Sequence, residues 1–280
     1  MLSGLVDPVG SRPLGVTRIV IGVAAGIRSL VALPVLLRLA EPGVIQAPVL
    51  TWMPAPSREM AFVLVGVWLT SAIMLAVGWR VPASGPVLLA CLIFMLVLDL
   101  QTYSNHLYLM AWLVLLLIVA DAGSGLSLGR RSSPVPYWPI GLIMIQVSVV
   151  YGFSAITKLN DEFLTGRVLA GVLRGGVISF PETLRAPRFL GAVAVAAVMV
   201  EAFIALALWS RRFRTVAFIL GFGLHASITL LMADTLELLV FSLLMMSTYP
   251  LFARVRTDRR SEPGWSHRGV DGLATPQPPA

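Results

Sequence analysis

Eight runs of mostly apolar residues, near 14–38, 60–79, 84–103, 106–122, 137–158, 189–209, 214–233 and 236–253, set the terms on which this chain can fold. Each is close to the roughly 20 residues a helix needs to cross the hydrocarbon core of a bilayer. In lipid a segment must satisfy its own backbone N–H and C=O groups, which an α-helix does internally. Hydrophobic residues make up 57% of the chain and charged residues 12%, with a mean hydropathy of +0.86. A water-facing domain of this length does not carry such a composition. The fold class that follows is all-α, a polytopic membrane helix bundle of about eight transmembrane helices.

The third and fourth runs come from one stretch, 84–122, which is too long for a single crossing at about 1.5 Å per residue. It is split at Asp99, Gln101, Tyr103, Ser104, Asn105 and His106. The first run starts near Ile19 and is too long for the core of a cleaved signal peptide, so it reads as a span. Between the fifth and sixth runs, residues 160–187 place Phe163, Leu164, Val168, Leu169, Val172 and Leu173 beside Arg167 and Arg174, ahead of Gly175-Gly176 and Pro181. That pattern suits an interfacial or re-entrant segment and equally an ordinary connecting helix. Residues 1–256 form the transmembrane domain, and the polar, proline-bearing stretch 257–280 reads as a disordered cytoplasmic tail.

Net charge is +7, yet the arginines fall in short clusters between apolar runs, which is a pattern of topology and not of a nucleic-acid surface. With the N-terminus inside, the inner segments carry 12 basic residues and the outer ones 7. This bias puts both termini in the cytoplasm of a multi-pass cell-membrane protein. The partner this demands is the lipid bilayer. The single cysteine, Cys91, excludes an internal disulfide and a cysteine metal site. Two candidate histidines with scattered carboxylates fall short of the donor set a zinc site needs, so no metal is expected.

Ionisable side chains inside spans are costly and are usually turned inward to pair or to work. Here they are Arg18, Arg28, Asp99, His106, Lys158, Glu201, His225, Asp234 and Glu237. Under the topology above, most of them gather toward the outer leaflet. Arg28 and Glu201 both fall near mid-membrane and are expected to form a structural ion pair.

Lys158 is the one lysine beside 20 arginines. An ammonium can lose its proton in a protein, whereas a guanidinium keeps its charge, so a lone lysine is a candidate base. The competing explanation is a composition biased to arginine, with the lysine serving as an interfacial anchor. On a helix, Tyr151, Ser154 and Lys158 share one face, next to a stripe of Gln146, Val150, Phe153 and Thr157. The two hydroxyls are placed to hold the ammonium.

Several stretches resemble one family. Ile145-Gln146-Val147-Ser148-Val149-Val150-Tyr151, then Lys158-Leu159-Asn160-Asp161, then Gly166 after Phe163-Leu164, are similar to the signature of the HTTM (horizontally transferred transmembrane) family. That family shares its membrane domain with the vitamin K-dependent gamma-carboxylases. Ser104-Asn105-His106-Leu107-Tyr108-Leu109, followed by Asp121 and Leu126-Ser127-Leu128, resembles a second motif of the family. Leu224-His225 and the closing Tyr249-Pro250-Leu251-Phe252 resemble it more loosely. Asn160 stands where the family often has Asp, and Phe163 where Trp is usual.

The resemblance implies that Lys158 is the base that deprotonates a reduced quinone, with His106 stabilising the developing anion. It makes Tyr151, Ser154, Asn105, Tyr108 and His225 candidates for substrate binding, and a reduced, vitamin K-like quinone the implied cofactor. The carboxylases' large extramembrane domain has no counterpart in these 280 residues. The expected reaction is accordingly a smaller one on a quinone- or lipid-like substrate at the outer leaflet. A second expectation, of a different class, is a non-catalytic membrane module that binds or stabilises a partner protein. A small-solute carrier is disfavoured, because duplicated halves and paired broken helices are absent from the sequence pattern.

Overall fold

The computed structural model describes residues 6–128, 132–175, 181–232 and 235–253. Eleven helices are described: α1 Arg12–Leu39, α2 Arg58–Val77, α3 Val81–Leu98, α4 Asn105–Val119, α5 Tyr137–Thr157, α6 Asp161–Leu164, α7 Arg167–Gly175, α8 Pro187–Ala207, α9 Arg214–Leu231, α10 Thr235–Ser247 and α11 Tyr249–Ala253. Seven stretches are long and apolar enough to cross a membrane, counting Thr235–Ala253 as one. The remaining expected span is the shorter α4, whose 15 residues rise about 22 Å. The expected tail and Asp234 lie outside the described residues.

Local chemistry sets the helix ends. The Ser57, Ser104 and Asn160 side chains each accept a hydrogen bond from the backbone N–H three residues on, capping α2, α4 and α6. The predicted break after the third span is built around buried Asp99. Its two carboxylate oxygens accept from the backbone N–H groups of Ala47 and Gln101 at 2.7 and 2.8 Å. Asp99 thus ties two loops together.

The first helix is the hub, packed against α2, α4, α10 and α11. Small residues let its backbone approach its neighbours: a β-carbon at Gly22 would fall 2.7–2.8 Å from Ala76. Arg18, fully buried, donates to the carbonyls of Leu75 and Ala76 at the end of α2 and to those of Gly125 and Leu126 in the loop after α4. A guanidinium fork can satisfy several carbonyls at once, so this intramembrane arginine is a clamp. Beside it, the chain ahead of α1 (Pro8–Val9) pairs antiparallel with Val135–Pro136, the residues that lead into α5.

Phe62, Val63, Ile73, Phe153, Ile156, Met199, Leu206, Ile219 and Phe222 are all more than half exposed. The outer surface of the bundle is therefore apolar, while Arg18, Arg28, Asp99, Glu201 and His225 are buried within it. That inversion suits a protein whose solvent is lipid.

The fifth and eighth helices pack side by side, antiparallel and staggered. Ser148 meets Trp209, Gly152 meets Ala205, and Ser154 meets Glu201. Lys158 at the end of α5 consequently lies opposite a residue deep in α8. Glu201 is 14 residues past Pro187 (201 − 187), about 21 Å along the helix. The first part of α8 is covered instead by α6 and α7. Gly166 makes the turn between them at φ +79, with its α-carbon so close to α8 that a side chain would strike Leu190 and Gly191 at 2.6–2.7 Å.

Candidate functional site

Lys158 is held by its own helix and by α8. Its Nζ donates to Ser154 Oγ at 2.9 Å and to Glu201 Oε1 at 2.5 Å, and Ser154 Oγ donates to the same Oε1 at 3.1 Å. Ser154 lies four residues before Lys158, which places both side chains on one face of α5. The aromatic ring of Phe163 in α6 covers the ammonium, with its centroid 5.6 Å away. The lysine side chain is 27% exposed and the glutamate side chain 5%. Oε2 of Glu201 is buried without a hydrogen-bond partner among the described residues.

One turn back along the same face is Tyr151, with its hydroxyl 2.7 Å from His225 Nε2 in α9 and 2.7 Å from the Tyr249 hydroxyl in α11. His225 is 1% exposed, and its Nδ1 has no partner among the described residues. Ser242 Oγ donates to the His225 carbonyl at 3.4 Å and bonds Thr229 Oγ1 at 3.0 Å, fixing α9 against α10. Gly221 makes this arrangement possible, because a β-carbon there would collide with Tyr249.

A third group is joined to the second through Phe241. His106 stacks on the Phe241 ring with centroids 4.5 Å apart, and His225 meets the same ring edge-on at 5.4 Å. Beside His106 stand Arg28 and Glu237, whose charges both act on it. Arg28 Nη2 is 3.5 Å from Glu237 Oε1, and Arg28 Nη1 and His106 Nδ1 have no hydrogen-bond partner among the described residues. The polar interior is thus a strip: Arg28, Glu237 and His106 at one end, His225, Tyr151 and Tyr249 beyond Phe241, and Ser154, Lys158 and Glu201 beside them.

Tyr151, Ser154, Lys158 and His225 come together as one cluster. His106 reaches it only by way of the Phe241 ring. Asn105 and Tyr108 do not join: Asn105 is exposed and accepts from the Tyr103 hydroxyl at 3.2 Å, while Tyr108 is 48% exposed and lies edge-on to Trp112. They sit on the outward faces of α4's first turns, where helical spacing directs them away from the face that His106 shares with the core.

The expected pair between Arg28 and Glu201 is not formed. Arg28 projects from α1 toward α10 and meets Glu237, whereas Glu201 projects from α8 toward α5 and meets Lys158. Similar depth along the sequence did not make them neighbours, because α1 packs on α10 and α8 on α5. Glu237, Phe241 and Tyr249 were missed as members of the strip. The charge of Glu237 within a span was the available signal for the first and the Tyr249-Pro250-Leu251-Phe252 stretch for the last, but Phe241 in an apolar run carries none.

Outside the strip, between α9 and the α10–α11 segment, lies an open groove of 390 Å³ lined by Phe218, Ile219, Phe222, Met246 and Tyr249. Tyr249 belongs to both, lining the groove and bonding Tyr151. Among the described residues, no three His, Cys, Asp or Glu side chains gather as a metal site.

The arrangement can hold a cation and a carboxylate in contact within an apolar bundle, next to a hydroxyl–imidazole pair suited to moving a proton. Compared with known proteins, residues 6–256 match the family model of the HTTM domain. No curated protein and no solved structure matches the chain.

Proposed function

Because the chain belongs to the HTTM domain family and carries seven stretches able to cross a membrane, we propose that this integral membrane protein is an enzyme working on a quinone- or lipid-like substrate. In this reading the reaction is general-base chemistry at the Lys158 cluster, resembling that of the vitamin K-dependent carboxylases. The observation that carries it is the contact of the only lysine with Ser154 and Glu201 inside the bundle, one turn from the Tyr151–His225 pair. An anchor lysine would extend to the interface. This one turns to a carboxylate 5% exposed.

The groove on Tyr249 gives the hydrocarbon tail of such a substrate an apolar wall that adjoins the polar strip. His106, beside Arg28, is the group that meets a developing negative charge at the other end of the strip. The arginine bias of the connecting segments supports both termini in the cytoplasm of a cell membrane, and the stagger of α5 on α8 sets the cluster well below the outer leaflet expected from sequence, about two-thirds of the way along α8 from Pro187. The bilayer is both partner and source of substrate.

The test is thermal unfolding of the purified, detergent-solubilised chain against a panel of reduced quinones. A reduced quinone is expected to raise the unfolding temperature of the wild type, and Lys158→Met is expected to abolish that shift. A flat response across the panel refutes the quinone site. If Lys158→Met and His106→Gln are also silent in every other assay, the protein is a non-catalytic membrane module instead.

A further inference from the structure

We propose that the group accepting the proton in this cluster is Glu201, and that Lys158 remains an ammonium that positions the carboxylate and neutralises the anion left on the substrate. The inference rests on the reading of the cluster as a general-base site for an amphiphile with an acidic hydroxyl, and it assigns the roles within it.

A base must present a lone pair. Every contact of Lys158 is one a cation makes: a carboxylate oxygen, a hydroxyl oxygen and the face of the Phe163 ring. The nitrogen spends its donors on Glu201 and Ser154, and the Ser154 hydroxyl turns its own proton to Glu201 Oε1 and not to the nitrogen. Glu201 is arranged the opposite way. Both of its partners, Lys158 and Ser154, converge on Oε1 and fix the carboxylate in place. Oε2 is left buried with lone pairs and, among the described residues, no donor. An unmet acceptor in such surroundings is rare, since buried polar atoms are nearly always paired. A substrate hydroxyl is the group that completes it.

The transfer balances without any further reactant. The substrate O–H bond breaks, the proton forms an O–H bond on Glu201 Oε2, and the electron pair stays on the substrate oxygen. The Lys158–Glu201 pair begins with no net charge. It ends with a neutral carboxylic acid and an ammonium facing the new oxyanion, so the site as a whole gains no charge. Were Lys158 itself the acceptor, its proton would first have to pass to Glu201, which leads to the same protonated carboxyl.

The experiment uses the full chain in detergent, labelled with 13C at the glutamate side-chain carboxyls, and a reduced prenyl naphthoquinone as the probe. Infrared difference spectra are taken with and without the quinol, and quinolate is followed by its ultraviolet absorbance. The expected result is a carbonyl band of a protonated carboxyl that appears on binding, shifts with the label and is absent in Glu201→Gln. Lys158→Arg keeps a cation and is expected to retain the band and at least a tenth of the quinolate, whereas Glu201→Gln loses more than 100-fold. Binding without a protonated-carboxyl band in the labelled wild type, or a band that survives in Glu201→Gln, overturns the assignment while leaving the site intact. So does loss of quinolate in Lys158→Arg as complete as in Glu201→Gln. If no quinol binds the wild type, the reading of the cluster falls, and the assignment with it. If Glu201→Gln fails to fold, Glu201→Asp decides: with the label on glutamate alone the carbonyl band is expected to lose its isotope shift, and a band that still shifts overturns the assignment.

Discussion

Gly221→Ala tests how the Tyr151–Tyr249 hydrogen bond is maintained. A β-carbon at 221 would overlap the Tyr249 hydroxyl and fall 2.9 Å from its Cζ and 3.3 Å from Cε2. Ordinary contact begins near 3.4 Å, so Cζ must retreat by about 0.5 Å (3.4 − 2.9) and the hydroxyl by more. A move of about 1 Å takes the 2.7 Å bond to Tyr151 beyond hydrogen-bond reach. Overpacking costs about 2 kcal/mol and the lost buried bond about 1 kcal/mol, so Gly221→Ala is expected to destabilise by about 3 kcal/mol. Tyr249→Phe loses only the bond, about 1 kcal/mol. It also removes the atom that clashes most. The double variant should therefore cost about 2 kcal/mol, where simple addition gives about 4 kcal/mol. Thermal or denaturant unfolding in detergent measures all three. A Gly221→Ala protein within about 0.5 kcal/mol of wild type, or a double variant equal to the sum, refutes the contact.

Other substitutions probe the rest of the frame. Lys158→Met leaves the Glu201 carboxylate buried without its counter-charge and is expected to cost about 3 kcal/mol, while Lys158→Met with Glu201→Met recovers most of it. Equal losses in the two proteins contradict the pairing. Gly22→Ala should force α1 from α2 at Ala76 and lower stability by about 2 kcal/mol, read as an earlier unfolding midpoint; no change sinks the close approach. Arg18→Lys keeps the charge but loses the fork that reaches four carbonyls, for about 3 kcal/mol. A stability equal to wild type would show that the charge alone matters there.

Much of the architecture was legible because lipid imposes a simple rule on sequence. Apolar runs marked the crossings within a few residues, and the polar break read from Asp99 to His106 marked where α3 gives way to α4, which begins at Asn105. The helical spacing of Tyr151, Ser154 and Lys158 likewise placed them together, since that depends only on one helix. Partners across helices were another matter. Arg28 and Glu201 look equivalent along the sequence, yet packing order gave Arg28 to Glu237 and Glu201 to Lys158. The stagger of α5 on α8 was also invisible, because nothing local to either run states which residue faces which. Asn105 and Tyr108 show the limit of a motif: adjacency to His106 put them nearby, but helix geometry turned them outward.

The stagger has an electrical consequence. With α8 as a membrane crossing, Glu201 lies 14 residues into a 21-residue helix, about two-thirds of the way from its Pro187 end. A proton arriving from that side travels through that share of the transmembrane field. A full crossing is worth about 2.3 kcal/mol per 100 mV, so occupancy of Glu201 carries about 1.5 kcal/mol of voltage dependence for each 100 mV. Energised and de-energised membranes would then differ about tenfold in how readily this carboxylate is charged, without any change in the pH on either side.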